Sequence, residues 1–121
     1  MARSRGGAGG AIVNVSSMAA VLGAATEFID YAAAKGAVDA LTIGLAKEVA
    51  TDGIRVNGVR PGLIDTDIHA ASGVDRIAKL VSSIPIQRAG TPDEVASAIA
   101  WLLSDAASYC CGTIMNVSGG R

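Results

Sequence analysis

Between Ala11 and Ser17 the chain reads Ala-Ile-Val-Asn-Val-Ser-Ser, a short apolar run rich in β-branched residues, with glycines before it and serines after it. This pattern predicts a buried strand. From Asp30 the apolar spacing lengthens. Val38, Leu41, Leu45 and Val49 recur at threes and fours, which predicts a helix from Asp30 to Ala50 with Asp30 as its N-cap and Asp52-Gly53 as its close. A second strand is expected over Ile54–Gly62, with Ile54, Val56 and Val59 turned to a core and Pro61 ending it. A short helix is expected over Val74–Ser83. A stronger one follows, with Thr91 as N-cap, Pro92 at the first helical position and Glu94 completing a capping box. Its buried stripe is Val95, Ile99 and Leu102. A third strand is expected within Gly112–Gly120.

Strands alternating with helices favour parallel pairing, and hence a layered α/β sheet of three strands. Residues 1–10 are glycine-rich and are expected to be a flexible tail ahead of one domain over 11–121.

Composition sharpens this picture. Apolar residues make up 50% of the 121, and adding the 15 glycines brings the share to roughly 60%, against the usual 45–50%. Charged residues are only 17%. A small domain has proportionally more surface than a large one, so an apolar excess implies faces covered by something outside the chain. The net charge is −1 without a basic cluster, which gives no footprint for nucleic acid or an anionic membrane. No apolar run approaches the roughly 18 residues of a membrane span, and glycines stand where a signal peptide would need an apolar core. Cys110 and Cys111 are adjacent, have no companion ligands for a metal, and are expected to be small hydrophobes, as Trp101 is expected to be core. A soluble, cytoplasmic protein is expected.

The candidate chemistry is concentrated at three places. Ser16 and Ser17 stand at the C-terminal end of the first strand, where open α/β sheets place ligands. Tyr31 and Lys35 are four residues apart at the start of the helix, hence on one face. Pro61-Gly62-Leu63-Ile64-Asp65-Thr66 leaves the end of the second strand. A free tyrosine has a pKa of about 10, roughly 4 kcal/mol from serving as a base at neutral pH. One positive charge about 4 Å away is worth roughly 4 kcal/mol at an effective dielectric near 20, so a lysine one turn away has the right magnitude. The competing reading pairs Lys35 with Asp39 on a solvated face and leaves Tyr31 as a half-buried aromatic.

With Ser17 14 residues upstream of Tyr31, the segments IVNVSS, YAAAK, GIRVNGVRPGLIDTD and ASYCCGTIMNVSGG together resemble the short-chain dehydrogenase/reductase family. The resemblance covers nearly everything from Ala11 onward. It implies the C-terminal half of a Rossmann-like parallel sheet, with the N-terminal dinucleotide-binding half absent. It also implies hydride transfer between NAD or NADP and a small alcohol or carbonyl substrate. Tyr31 is then the general acid/base, Ser17 steadies the substrate oxygen, and Lys35 supports the phenol and holds the cofactor's ribose. Backbone around Pro61, Gly62, Leu63 and Ile64, with the Thr66 hydroxyl, would meet the carboxamide. His69, the sole histidine, is expected at the surface. Gly6–Gly10 is not a phosphate loop, because it precedes a strand and opens no helix.

Met1 is expected to be an internal start or the edge of a longer protein, and the chain alone is expected to be inactive. An alternative reading is a non-catalytic oligomerisation module or a remnant of such an enzyme. Homo-oligomer contacts are expected through helix 31–50, which is apolar on more than one side at Ala33, Ala37, Leu41 and Ile43, and through the exposed edge of strand 11–16.

Overall fold

Three parallel strands form one sheet: β1 (Gly10–Val15), β2 (Ile54–Pro61) and β3 (Ile114–Val117), in the order β1-β2-β3. The computed structural model describes residues 1–66 and 74–121. Among the described residues four α-helices accompany the strands: the single turn α1 (Ala19–Leu22), the long α2 (Ile29–Val49), α3 (Val74–Ser82) and α4 (Pro92–Leu103). Ile12 faces a core cluster with Ala46, Ile54 and Val56, whereas its neighbour Val13 faces another with Val59, Val95 and Leu102. Successive strand residues point to opposite faces, so α2 covers one side of the sheet and α4 the other.

The expected elements form, with boundaries moved by a residue or two and one different cap. Helix α2 begins at Ile29 with Phe28 as its N-cap and no side-chain cap bond; Asp30 lies inside the first turn, where its charge suits the helix dipole. At the other end a 3-10 turn over Ala50–Asp52 leads to Gly53, which adopts φ 73° and donates its N–H to the Ala50 carbonyl. The α4 capping box is complete: Thr91 Oγ1 accepts from Glu94 N–H (3.3 Å) and Glu94 Oε2 accepts from Thr91 N–H (2.8 Å). Arg88 binds the same carboxylate through both terminal nitrogens, and that bond, reinforced by the Thr91 amide, pulls the Glu94 pKa down to about 2. The far end of α4 is closed by Arg55, whose guanidinium donates to the carbonyls of Leu102 (2.9 Å) and Ser104 (3.0 Å).

Two expectations about packing are corrected. The first residues fold back on the domain: Ser4 N–H donates to Asp52 Oδ1 (2.9 Å), Gly9 to the Met1 carbonyl and Gly10 to the Gly53 carbonyl. Trp101 is 42% exposed, because the core side of α4 is taken by Val95, Ala98, Ile99 and Leu102. On α2, Leu41 is 59% exposed, as a residue of the expected contact surface, and the buried stripe is Ala32, Asp39, Thr42 and Ala46.

That stripe explains how α2 is held. Ala46 with half-buried Leu45 and Val49 packs on Ile12, Ile54 and Val56, and supplies the non-directional hydrophobic part of the contact. Toward the start of the helix the contact is polar. Asn14 Nδ2 donates to Thr42 Oγ1 (2.9 Å), Arg60 Nε donates to Asp39 Oδ2 (2.8 Å), and Ser16 Oγ donates to the Lys35 carbonyl (3.1 Å). Directional bonds therefore set the placement of the first three turns.

Candidate active site

The C-terminal ends of β1 and β2 meet the start of α2 around a cleft of about 200 Å³. Ser16 is buried and points at α2, so Ser17, on the opposite side of the extended chain, lines the cleft. Ser17 Oγ accepts the Ala19 N–H (3.2 Å), which opens α1 and leaves the hydroxyl proton free to be donated. Tyr31 enters from the first turn of α2 and is 45% exposed. The Lys35 ammonium lies 5.7 Å from the centroid of the Tyr31 ring, and Nζ donates to the Val15 carbonyl (2.9 Å). Two of its three N–H bonds remain available for other acceptors. The competing pairing with Asp39 is not formed; Asp39 binds Arg60 instead.

Pro61, Gly62 and Leu63 form the facing wall. Gly62 is required sterically, since a Cβ there would lie 2.8 Å from Ser118 Cα and 3.2 Å from the Ser118 carbonyl oxygen, both backbone. Its N–H donates to the Val117 carbonyl (2.9 Å), which ties the end of β2 to the end of β3. The structure thus brings together Ser17, Tyr31, Pro61, Gly62 and Leu63, with Lys35 behind Tyr31. Ile64 packs with the α4-side core and bridges to Gly90, while Thr66 is half-buried away from the cleft lining. His69 lies outside the described residues.

Sequence reasoning missed the apolar wall opposite, from Leu22, Phe28 and Leu80, and the contribution of Arg121. The available signal was the apolar pair Phe28-Ile29, separated from Tyr31 by Asp30 alone. The loop before α2 also carries Ala24 at φ 45° and Thr26 at φ 64°. Left-handed conformations at non-glycine residues cost roughly 1–2 kcal/mol each and gather at functional sites.

A larger hollow of about 680 Å³ lies at the opposite end of the sheet, beside Gly10 and Ile54. It is the weaker candidate: it lies away from the Tyr31–Lys35 pair, and the Arg55 guanidinium at its wall is committed to carbonyls. Among the described residues no group of acidic, cysteine or histidine side chains could hold a metal ion. No described helix is long and apolar enough to cross a membrane.

Comparison with known proteins gives this geometry a family. The whole chain, residues 1–121, matches the family model described as enoyl-(acyl carrier protein) reductase. It is 57% identical over 122 residues to the uncharacterized oxidoreductase YgfF of Escherichia coli (strain K12), covering 100% of this chain and 49% of that one. It is 46% identical over 120 residues to a glucose and ribitol dehydrogenase homolog of Oryza sativa subsp. japonica, covering 98% of this chain and 40% of that one. A crystal structure of a putative 2-deoxy-d-gluconate 3-dehydrogenase from Agrobacterium tumefaciens, with bound NADP, superposes with a TM-score of 0.87 at 38% identity, over 93% of this chain and 46% of that one. The chain belongs to the short-chain dehydrogenase/reductase family, whose members are NAD(P)-using oxidoreductases. It spans about half the length, or less, of these relatives.

The size of the cleft and the donors beside it decide which part of the cofactor fits there. About 200 Å³ is below the roughly 300–1,000 Å³ of typical small-molecule sites, so it accommodates a ring-sized group and not a dinucleotide. The two spare Lys35 donors suit a pair of ribose hydroxyls. The residues present therefore fit the reactive end of NAD(P).

Proposed function

We propose that this chain carries the chemical end of an NAD(P)-dependent oxidoreductase site acting on a small alcohol or carbonyl compound. The observation that carries the reading is the meeting of Ser17 and Tyr31 in one cleft, with the Lys35 ammonium over the phenol ring. NAD(P), when bound, supplies or accepts the hydride. Tyr31 gives a proton to, or takes one from, the substrate oxygen as general acid or base. Ser17, its oxygen already satisfied by the Ala19 amide, donates its hydroxyl proton to the same oxygen and steadies charge developing there. Lys35 offers its spare donors to the ribose. Pro61, Gly62, Leu63 and Ile64 would contact the carboxamide through backbone, with Thr66 as its hydroxyl anchor. Leu22, Phe28 and Leu80 give the cleft an apolar wall.

The order of the motifs, with the tyrosine helix between the first and second strands and no described helix following a glycine loop, supports placing 11–121 as the C-terminal half of the family's sheet. On this reading the chain alone is inactive, and its cellular location is the cytoplasm. Binding tests the proposal: NADH and NADPH are titrated against the chain and against Tyr31→Phe, and turnover is measured in the assembled enzyme. Retention of full turnover by Tyr31→Phe there would remove Tyr31 from its role.

A second reading, a non-catalytic oligomerisation module, is favoured by one observation. Ala33, Ala37, Ala40 and Gly44 form an exposed face of α2 beside exposed Leu41 and Ile43, while β1 is an open edge strand. The two readings share a homo-oligomer through these surfaces and differ in cofactor affinity, which only the first requires.

A further inference from the structure

The helix bearing Tyr31 and Lys35 is joined to β2, the strand that leads into Pro61-Gly62, by an ion pair that is poorly suited to stabilisation alone. Asp39 and Arg60 are largely buried, with 11% and 19% of their side chains exposed, and meet at 2.8 Å. The second carboxylate oxygen, Asp39 Oδ1, is buried without a hydrogen-bond partner among the described residues. Removing two charges from water costs several kcal/mol per ion, and apolar replacements of such pairs are often neutral or stabilising by ~1–4 kcal/mol. An incompletely satisfied pair at this place therefore calls for a reason other than net stability.

Its location supplies one. Asp39 follows Lys35 by one helical turn and Tyr31 by two, and Arg60 immediately precedes Pro61. Between them the stripe of α2 is small or polar, so the hydrophobic contact there is weak in direction. A slip of one residue along α2 would move the helix by about 1.5 Å and turn it by about 100°. We propose that Asp39 and Arg60 are positioning residues, whose ion pair fixes α2 on β2 so that Tyr31 and Lys35 stand opposite Pro61-Gly62. The role in catalysis rests on the cleft being the active site; the positioning itself does not.

The test uses the 121-residue chain labelled with 3-fluorotyrosine. Its two tyrosines give two ¹⁹F signals, and Tyr109, at 102% exposure, serves as the internal reference. Two variants are compared with the parent, Asp39→Asn and the apolar pair Asp39→Leu/Arg60→Met, with urea unfolding measured on each. The expected result is a Tyr31 signal that shifts by more than its linewidth or splits while Tyr109 stays fixed, with the apolar pair unfolding at a midpoint close to the parent's. An unmoved Tyr31 signal in every folded variant overturns the proposal. Loss of the whole fold in both variants also overturns it, since the pair would then hold the domain together and not the cleft. A moved Tyr31 signal together with full turnover by Tyr31→Phe in the assembled enzyme would leave the positioning intact and remove the oxidoreductase reading.

Discussion

Replacing Thr42 by valine probes how α2 is seated. Thr42 is 1% exposed; its hydroxyl accepts from Asn14 Nδ2 at 2.9 Å and donates to the Val38 carbonyl at 2.7 Å. Valine keeps the shape and removes the oxygen, leaving the Asn14 amide without its acceptor. A buried donor stranded in this way costs ~1–3 kcal/mol. The bond to Val38 is a side-chain bond back to the preceding turn, which slightly disfavours a helix, so its loss adds little. The expected destabilisation is about 1–3 kcal/mol, toward the lower end because Asn14 is only half-buried. At an m-value of about 1–3 kcal/mol/M, urea unfolding should show a midpoint lower by on the order of 1 M. Adding Asn14→Leu removes the stranded group, and the double variant should recover much of the loss, with a coupling of about 0.5–3 kcal/mol. A Thr42→Val midpoint equal to the parent's, or strictly additive effects in the double variant, would refute the view that polar contacts seat the helix.

Other expectations follow from the same coordinates. The Glu94 carboxyl titrates at about 2 in the folded chain, against 4.5 for a free side chain, chiefly through its bond to Arg88. A depressed carboxylate adds stability above the unfolded value that is lost as pH falls through the folded one, so the advantage of the parent over Glu94→Gln should shrink from pH 4.5 down to about 2; an advantage unchanged across that window would contradict the assignment. Nothing lies within 4 Å of a Cβ built on Gly44, so Gly44→Ala should stabilise the single chain by about 1 kcal/mol through helix propensity. If a second copy packs on that face, the same variant should weaken assembly in light scattering; a gain in stability with unchanged assembly would place the oligomer contact elsewhere.

Much of this was legible in the sequence because it is local. The capping box at Thr91–Glu94 and the glycine stop at Gly53 act within a few residues and appear in the structure as expected, and the β-branched run Ile12–Val15 forms its strand, though half-buried and with Val15 exposed where a buried strand was expected. The spacing of Tyr31 and Lys35 needed only helical geometry to predict a shared face. What failed depended on partners distant in the chain. The sheet meets α2 through Asp39 and Thr42, which the apolar period passes over and whose partners Arg60 and Asn14 are 21 and 28 residues away. A polar residue in an apolar stripe was the available sign. Trp101 has the composition of a core residue and lies on the face that α4 turns outward.

By itself the amino-acid order determined the three-strand parallel plan, the helix ends and the residue types that meet at the cleft, because period, caps and turn chemistry are short-range properties of the chain. Tertiary structure decided which face of α2 is buried, that Lys35 is held by the Val15 carbonyl, and that Leu22, Phe28 and Leu80 line the cleft. Those outcomes depend on which distant groups can satisfy one another once water is excluded, and no local pattern encodes that.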